Sequence, residues 1–109
     1  MTGIYCIKNQ ITNEIYIGQS VNIERRWEQH KKAMKTKKYQ LYSSMRKYGL
    51  HKFTLQVLEE CPKHKLDERE KYWIERKQKE GFFLYNIIGV HEKEKYIKAR
   101  TNKIPYKRK

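Results

Sequence analysis

GIYCIKNQITNEIYIG, residues 3–18, holds two short β-prone runs around a polar centre. Ile4-Tyr5-Cys6-Ile7 is rich in β-branched and aromatic residues, Asn9 to Glu14 supplies turn chemistry, and Ile15-Tyr16-Ile17 is a second run closed by Gly18. This pattern predicts a β-hairpin, with Tyr5 and Tyr16 on neighbouring strands.

Downstream, the period changes from two to that of a helix. Asn22 is a suitable N-cap with Glu24 in the first turn. Ile23, Trp27, His30 and Met34 then recur at helical spacing and form one stripe. Arg26 lies about 60° from that stripe at about 100° per residue, which puts it at the rim. Lys31, Lys32, Lys35, Lys37 and Lys38 make a basic exit from this helix. Residues 39–48 read as a shorter helix stopped by Gly49, with Leu41, Met45 and Tyr48 on one side. Phe53 to Leu58 alternates as a half-buried strand does, and Pro62 ends it. Residues 66–80 form a long helix with Gly81 as its C-terminal signal.

That last helix carries the sharpest chemical clue. Leu66, Trp73, Ile74 and Lys77 define its inward face, and Glu70 projects among them. A carboxylate in such a place must be paired, protonated or metal-bound, because burying a bare charge is costly. Glu68 and Glu75 point elsewhere and read as solvated charges. Trp27 and Trp73 are expected in the core.

Composition restricts the function. The 109 residues amount to one domain. Hydrophobic residues make up 38% and charged residues 35%, so the core must be small and the surface strongly charged. Lys and Arg number 26 against 12 Asp and Glu, a net charge of +14. The partner that suits such a surplus is a nucleic-acid phosphate backbone, whose condensed counterions the cations displace. No apolar run is long enough to span a bilayer and no signal peptide is present, so no membrane partner is expected. Cys6 and Cys61 form no CxxC pair, and the histidines 30, 51, 64 and 91 are scattered. Neither a structural zinc nor a disulfide is expected, and a reducing cytoplasm suits the chain. The segment 91–109 is strongly basic and is expected to be a tail, with a helix allowed over 92–100.

Gly3-Ile4-Tyr5, followed after ten residues by Tyr16-Ile17-Gly18, resembles the signature of the GIY-YIG nucleases. Three further elements follow in that family's order: Arg26-Trp27 with His30 as an RWxxH pattern, Glu70 to Ile74 as ExxWI, and Tyr85-Asn86-Ile87 as the closing YN element. The resemblance spans residues 3–88.

The family implies an α+β fold, a three-stranded antiparallel sheet flanked by helices in the order ββααβα. The expected division is a nuclease domain over 1–90 and the basic tail over 91–109. The family also implies hydrolysis of DNA phosphodiesters with a single Mg²⁺ or Mn²⁺, leaving 5′-phosphate and 3′-hydroxyl ends. Tyr5, Tyr16, Arg26, His30 and Glu70 would then be the catalytic set, with Glu70 as metal ligand. One protein carboxylate suffices for Mg²⁺, which keeps several waters and also takes substrate oxygen. Arg26 suits stabilisation of phosphoryl charge, since its guanidinium can give two parallel hydrogen bonds. Tyr5 is the candidate base or water-orienting group, although a phenol is a poor base at neutral pH unless a cation or the metal lowers its pKa. Tyr16 would position the water or a phosphate, and His30 would accept a proton or bond a tyrosine hydroxyl. Gly3 and Gly18 would serve backbone geometry and Asn86 would tie the site together by hydrogen bonds. The lysines between 31 and 38 are candidates for phosphate contacts, which position DNA without reading its sequence. Some homing-type members carry a further histidine after the first helix, where this chain has Thr36-Lys37-Lys38-Tyr39.

The leading expectation is an active endonuclease of homing, phage or mobile-element type, in the cytoplasm of a bacterium or a phage-infected host. It would be either a free-standing small nuclease or the catalytic part of a longer protein. Double-stranded DNA is the expected partner, met as a monomer or a transient dimer, since one centre cuts one strand per event. A repair, structure-specific or restriction nuclease of the same family is the alternative within that class. A non-catalytic basic module that only binds nucleic acid is the alternative outside it.

Overall fold

In the computed structural model, which describes residues 1–88, Gly3–Asn9 (β1) and Ile15–Ser20 (β2) form the predicted hairpin. The expected tail over 91–109, with its helix at 92–100, lies outside the described residues. Hydrogen bonds around the buried Asn9 shape the hairpin turn. Asn9 Oδ1 accepts from the Ile11 and Thr12 amides at 2.9 and 3.3 Å, and the Asn9 amide donates to the Glu14 carbonyl at 2.9 Å. Asn13 then turns the chain with φ +69°, a conformation asparagine tolerates better than most residues.

β2 continues through Gly18 to Ser20, so Gly18 lies inside the strand and does not end it. The reason is across the ladder: Gly18 is opposite Tyr5, whose ring occupies the space a side chain would need. Phe53–Glu60 (β3) pairs with the other side of β1, giving an antiparallel sheet in the order β2-β1-β3. As the central strand covered on both faces, β1 is buried from Gly3 to Ile7. The expected alternation of β3 holds from Phe53 to Leu55 and then breaks. The β1–β3 register shifts between Ile4 and Tyr5, which pairs Tyr5 with Val57 and Ile4 with Glu59. Leu58 packs on the opposite face from Phe53, as alternation along the strand requires, while Val57, beside the bulge, is exposed.

Ile23–Ala33 (α1) and Gln40–Tyr48 (α2) pack on one face of the sheet. Asn22 caps α1 as its sequence suggests, accepting from the Arg25 amide at 3.0 Å. Gly49 and Gly81 take φ +96° after α2 and after the long helix over 66–79, a positive φ that glycine adopts without strain. Leu66–Lys79 (α3) covers the other face, and a short helix, Tyr85–Ile88 (α4), follows. The order ββααβα therefore holds with one short helix added, and 3-10 turns at Leu50–Lys52 and Lys63–Lys65.

The sheet thus has two cores. Tyr5, Ile7, Ile23, Leu41, Tyr42, Met45, Phe53 and Tyr85 fill one side, with Trp27 packed against them. Ile4, Cys6, Ile15, Ile17, Leu66 and Leu84 fill the other, with Trp73 and Ile74. Both cysteines are free thiols, and burial pushes the pKa of Cys6 up to about 11, which makes it inert. Among the described residues, no helix is long and apolar enough to cross a membrane.

Candidate active site

Alternation along β1 and β2 decides which residues meet. Tyr5 pairs with Gly18 and Ile7 with Tyr16, so the two tyrosines are diagonal neighbours on the α1 face. Their rings lie 6.3 Å apart. The α1 stripe brings His30 down onto both, with ring centroids 5.8 Å from Tyr5 and 5.5 Å from Tyr16. His30 Nε2 and the Tyr5 hydroxyl are 2.8 Å apart, and His30 Nδ1 is 2.8 Å from the hydroxyl of Tyr42 on α2. Tyr42 belongs to this network although its sequence context gave no sign of it beyond a place beside the Leu41–Met45 stripe.

Arg26 stands one turn before His30, half-buried at the rim, and donates to Gln29 Oε1 at 3.2 Å. Burial drives the Tyr5 hydroxyl pKa far above the ordinary phenol range, and a charge on Tyr16 would add to this. The Arg26 guanidinium, close enough to act on it both as a charge and as a hydrogen-bond donor, lowers it only in part. Tyr5 is therefore a neutral hydroxyl in the resting protein, suited to orienting a water and unsuited to acting alone as an anionic base. His30 is 1% exposed, and burial, with a smaller contribution from the Arg26 charge, brings its pKa down to about 3. It is a neutral imidazole at physiological pH. Of its two expected uses, the structure displays the bond to a tyrosine hydroxyl.

Glu70 occupies the other side of the sheet. It sits on the inward stripe of α3 as predicted, but half-buried, since only Leu66 of that helix is fully covered. Gln19 on β2 alternates away from Tyr16 and Gly18 and reaches this face. Its side-chain Nε2 donates to Glu70 Oε1 at 2.5 Å and to Asp67 Oδ1 at 2.9 Å. Asp67 and Gln19 were not singled out in the sequence. The alternation Ile15, Ile17, Gln19 locates the glutamine only once α3 is known to cover that face. Glu68 and Glu75 are exposed, as expected. A further carboxylate, Glu59, accepts from Arg69 at 2.8 Å and from Trp73 Nε1 at 2.9 Å, and these two bonds hold its pKa below the usual range. Glu59 is thus a structural tie between β3 and α3. Among the described residues no group of three His, Cys, Asp or Glu is placed to hold a metal ion. The hard oxygens of Glu70 and Asp67 nevertheless fit Mg²⁺ or Mn²⁺, ions that accept few protein ligands and keep their waters.

The supporting residues do specific work. A Cβ on Gly3 would lie 2.1 Å from the Glu59 carbonyl oxygen, so β1 and β3 can close only on glycine there. Asn86 is 6% exposed, accepts from the Ile17 amide at 2.9 Å and donates to the Ile17 carbonyl at 2.7 Å. It acts as one rung of a further strand along the outer edge of β2. Tyr85 accepts from Asn9 Nδ2 at 3.2 Å and donates to Glu14 at 3.1 Å, which ties the same edge to the hairpin turn. Of the basic exit, Lys32, Lys35, Lys37 and Lys38 are exposed, while Lys31 pairs with Glu28 at 2.9 Å and lies 5.4 Å from the Trp27 ring. Arg46 fixes this turn by donating to the carbonyls of Met34 and Lys37 at 2.5 and 2.8 Å.

Known proteins place this arrangement. The family model of the GIY-YIG catalytic domain matches residues 1–86. Intron-associated endonuclease 1 of Enterobacteria phage T4 is 37% identical over 78 residues, which cover 67% of this chain and 31% of that protein. The chain thus spans about a third of that relative's length. The solved catalytic domain of the homing endonuclease I-TevI superposes with a TM-score of 0.65 at 32% identity, covering 77% of this chain and 97% of that one. A substituted form of the same catalytic domain of the intron endonuclease gives a TM-score of 0.65 at 33% identity over 75% and 90% of the two chains. The chain belongs to the GIY-YIG catalytic-domain family.

Proposed function

We propose that this protein is the catalytic domain of a DNA endonuclease of homing or mobile-element type. The observation that carries the reading is the convergence of Tyr5, Tyr16 and Arg26 around a buried, neutral His30. A donor-only cation beside hydroxyls at a rim suits a phosphodiester, whose charge is spread over oxygens. The surplus of +14 charges supports a nucleic-acid substrate, and the intron-associated phage endonuclease and the solved homing-endonuclease domain support the homing type.

In this reading Arg26 donates to the non-bridging phosphoryl oxygens as charge builds on them. Tyr16 holds the incoming water or a phosphate oxygen, and Tyr5 orients that water. Glu70 and, through the shared Gln19 amide, Asp67 would hold the divalent ion, Mg²⁺ or Mn²⁺. When bound, such an ion supplies water activation and charge relief on the phosphoryl and leaving oxygens. Attack of the water oxygen on phosphorus with loss of the 3′ oxygen leaves a 5′-phosphate and a 3′-hydroxyl. The exposed lysines between 32 and 38, presented on a turn fixed by Arg46, contact the DNA backbone, as does the basic segment 91–109. Residues 1–90 act as the nuclease unit in the cytoplasm of a bacterium or a phage-infected host, as a monomer or as a transient dimer when both strands are cut.

The test is supercoiled plasmid incubated with the protein and Mg²⁺, then with ligase. Nicked product that reseals without prior kinase treatment is expected, and chelator abolishes it. Nicked ends that need a kinase would refute the end chemistry, and binding without any nicking would select the non-catalytic module.

A further inference from the structure

Both nitrogens of His30 are engaged by tyrosine hydroxyls, Nε2 by Tyr5 and Nδ1 by Tyr42, each at 2.8 Å. A neutral imidazole carries one N–H and one lone pair. One tyrosine must therefore donate to His30 and the other must accept from it. The surroundings differ enough to choose. The Tyr5 side is sealed, with Tyr5 and His30 each 1% exposed. The Tyr5 oxygen lies beside Arg26, which donates and never accepts. The other group bonded to the Tyr5 hydroxyl is Nε2 of His30, which can accept its hydrogen when the imidazole carries its own on Nδ1. Tyr42, at 5% exposed, lies nearer the surface and can turn its own hydrogen toward water. Arg26 lies beside both tyrosine oxygens, so the difference in burial is what chooses between them.

We infer that Tyr42 is a positioning residue: by accepting the Nδ1–H of His30 it holds the ring in the Nδ1–H tautomer and thereby obliges Tyr5 to donate its hydroxyl hydrogen to Nε2. The Tyr5 oxygen then presents its lone pairs to Arg26 and to the water it orients. Without Tyr42 the imidazole can place its hydrogen on Nε2, and the Tyr5 hydroxyl must turn. The catalytic consequence rests on the endonuclease reading above, whereas the tautomer is a property of the fold alone.

The experiment uses the full chain with ¹⁵N-labelled histidine and long-range ¹H–¹⁵N correlation, with the His30 signals identified by their loss in His30→Gln. In the unmodified protein Nδ1 is expected as the protonated, pyrrole-type nitrogen and Nε2 as the pyridine-type one. Tyr42→Phe is expected to move the hydrogen wholly or partly to Nε2 while backbone amide spectra stay native. The same variant should nick DNA about tenfold or more slowly in kcat with KM for DNA unchanged, as expected for a misaimed group. A protonated Nε2 in the unmodified protein overturns the inference even if Tyr42→Phe does not fold. An unchanged kcat in folded Tyr42→Phe overturns the positioning role. If the unmodified protein does not cut, the endonuclease reading fails, and the tautomer still decides whether Tyr42 sets the hydrogen of Tyr5.

Discussion

The Tyr5 ring lies across Gly18 on the neighbouring strand so closely that a Cβ at position 18 would stand 2.4 Å from the Tyr5 hydroxyl oxygen. The two residues are ladder partners, and the missing side chain is what lets Tyr5 reach His30. Gly18→Ala must therefore displace a fully buried ring. A destabilisation of about 1–3 kcal/mol is expected from overpacking. Nicking should fall more than stability explains, because Tyr5 loses its bond to His30. Urea unfolding and plasmid nicking on the same preparation check this, and an alanine variant as stable and as active as the parent would contradict it.

Stability should depend on pH in a direction set by His30 and Tyr5. The His30 pKa falls from 6.5 in the unfolded chain to about 3 in the fold, so the unfolded chain binds the extra proton between those values. Its contribution is complete above about pH 6.5 and is lost progressively as pH falls toward 3, up to the order of 5 kcal/mol. Glu59, whose pKa is lowered from 4.5, adds to the acid loss only at lower pH, so the decline from 6.5 to 4.5 reports His30. At the alkaline end Tyr5, raised above its ordinary 10.0, keeps its proton when the unfolded chain releases one, so stability falls as pH rises past that value. Thermal melts from pH 4.5 upward measure the acid limb. In His30→Gln, which stays neutral throughout, that limb should flatten, and an unchanged slope would show that another group produces it.

Asn86 bonds both backbone groups of Ile17, so its two roles can be separated. Asn86→Ala leaves the Ile17 amide and carbonyl without this partner, at a cost of about 1–3 kcal/mol. Asn86→Asp keeps the acceptor but sets a carboxylate against the Ile17 carbonyl, so at neutral pH it should be at least as unstable as the alanine variant. Denaturant titration at pH 7 ranks the three proteins.

Arg26→Lys keeps the charge and removes the planar pair of donors. Its side chain is half-buried at the rim, donates to Gln29 and is close enough to act as a donor on the Tyr5 and Tyr42 hydroxyls, so stability should fall by no more than about 1–2 kcal/mol. Cutting should fall about 10²-fold or more if Arg26 stabilises phosphoryl charge. Single-turnover cleavage at saturating protein separates this from weaker DNA binding.

Local pattern carried much of this molecule into view. The hairpin, the Asn22 cap, the His30 stripe and the inward stripe of α3 all depend on residues within a few positions of each other, and they stand as read. The β3 bulge did not, because it depends on how Ile4 and Tyr5 meet a strand fifty residues later in the chain. Gln19 looked like a polar strand end until α3 packed beside it, and Tyr42 looked like a neighbour of the α2 stripe until His30 reached it. Pairings between distant elements have no local signature. Arg26 and Glu70 were legible as chemistry but not as geometry: the sheet separates their faces, and β2 links them by carrying Tyr16 and Gln19 on alternate sides.

In the proposed function, nicking depends on a divalent ion that Glu70, bonded by Gln19, would hold. The most direct measurement is Mg²⁺-dependent nicking of supercoiled plasmid by the unmodified protein and by Glu70→Ala, alongside DNA binding by both. Glu70→Ala is expected to bind DNA as the parent does, with nicking reduced to the level seen with chelator. Equal nicking by the two proteins, or none above that background by the parent, would contradict it.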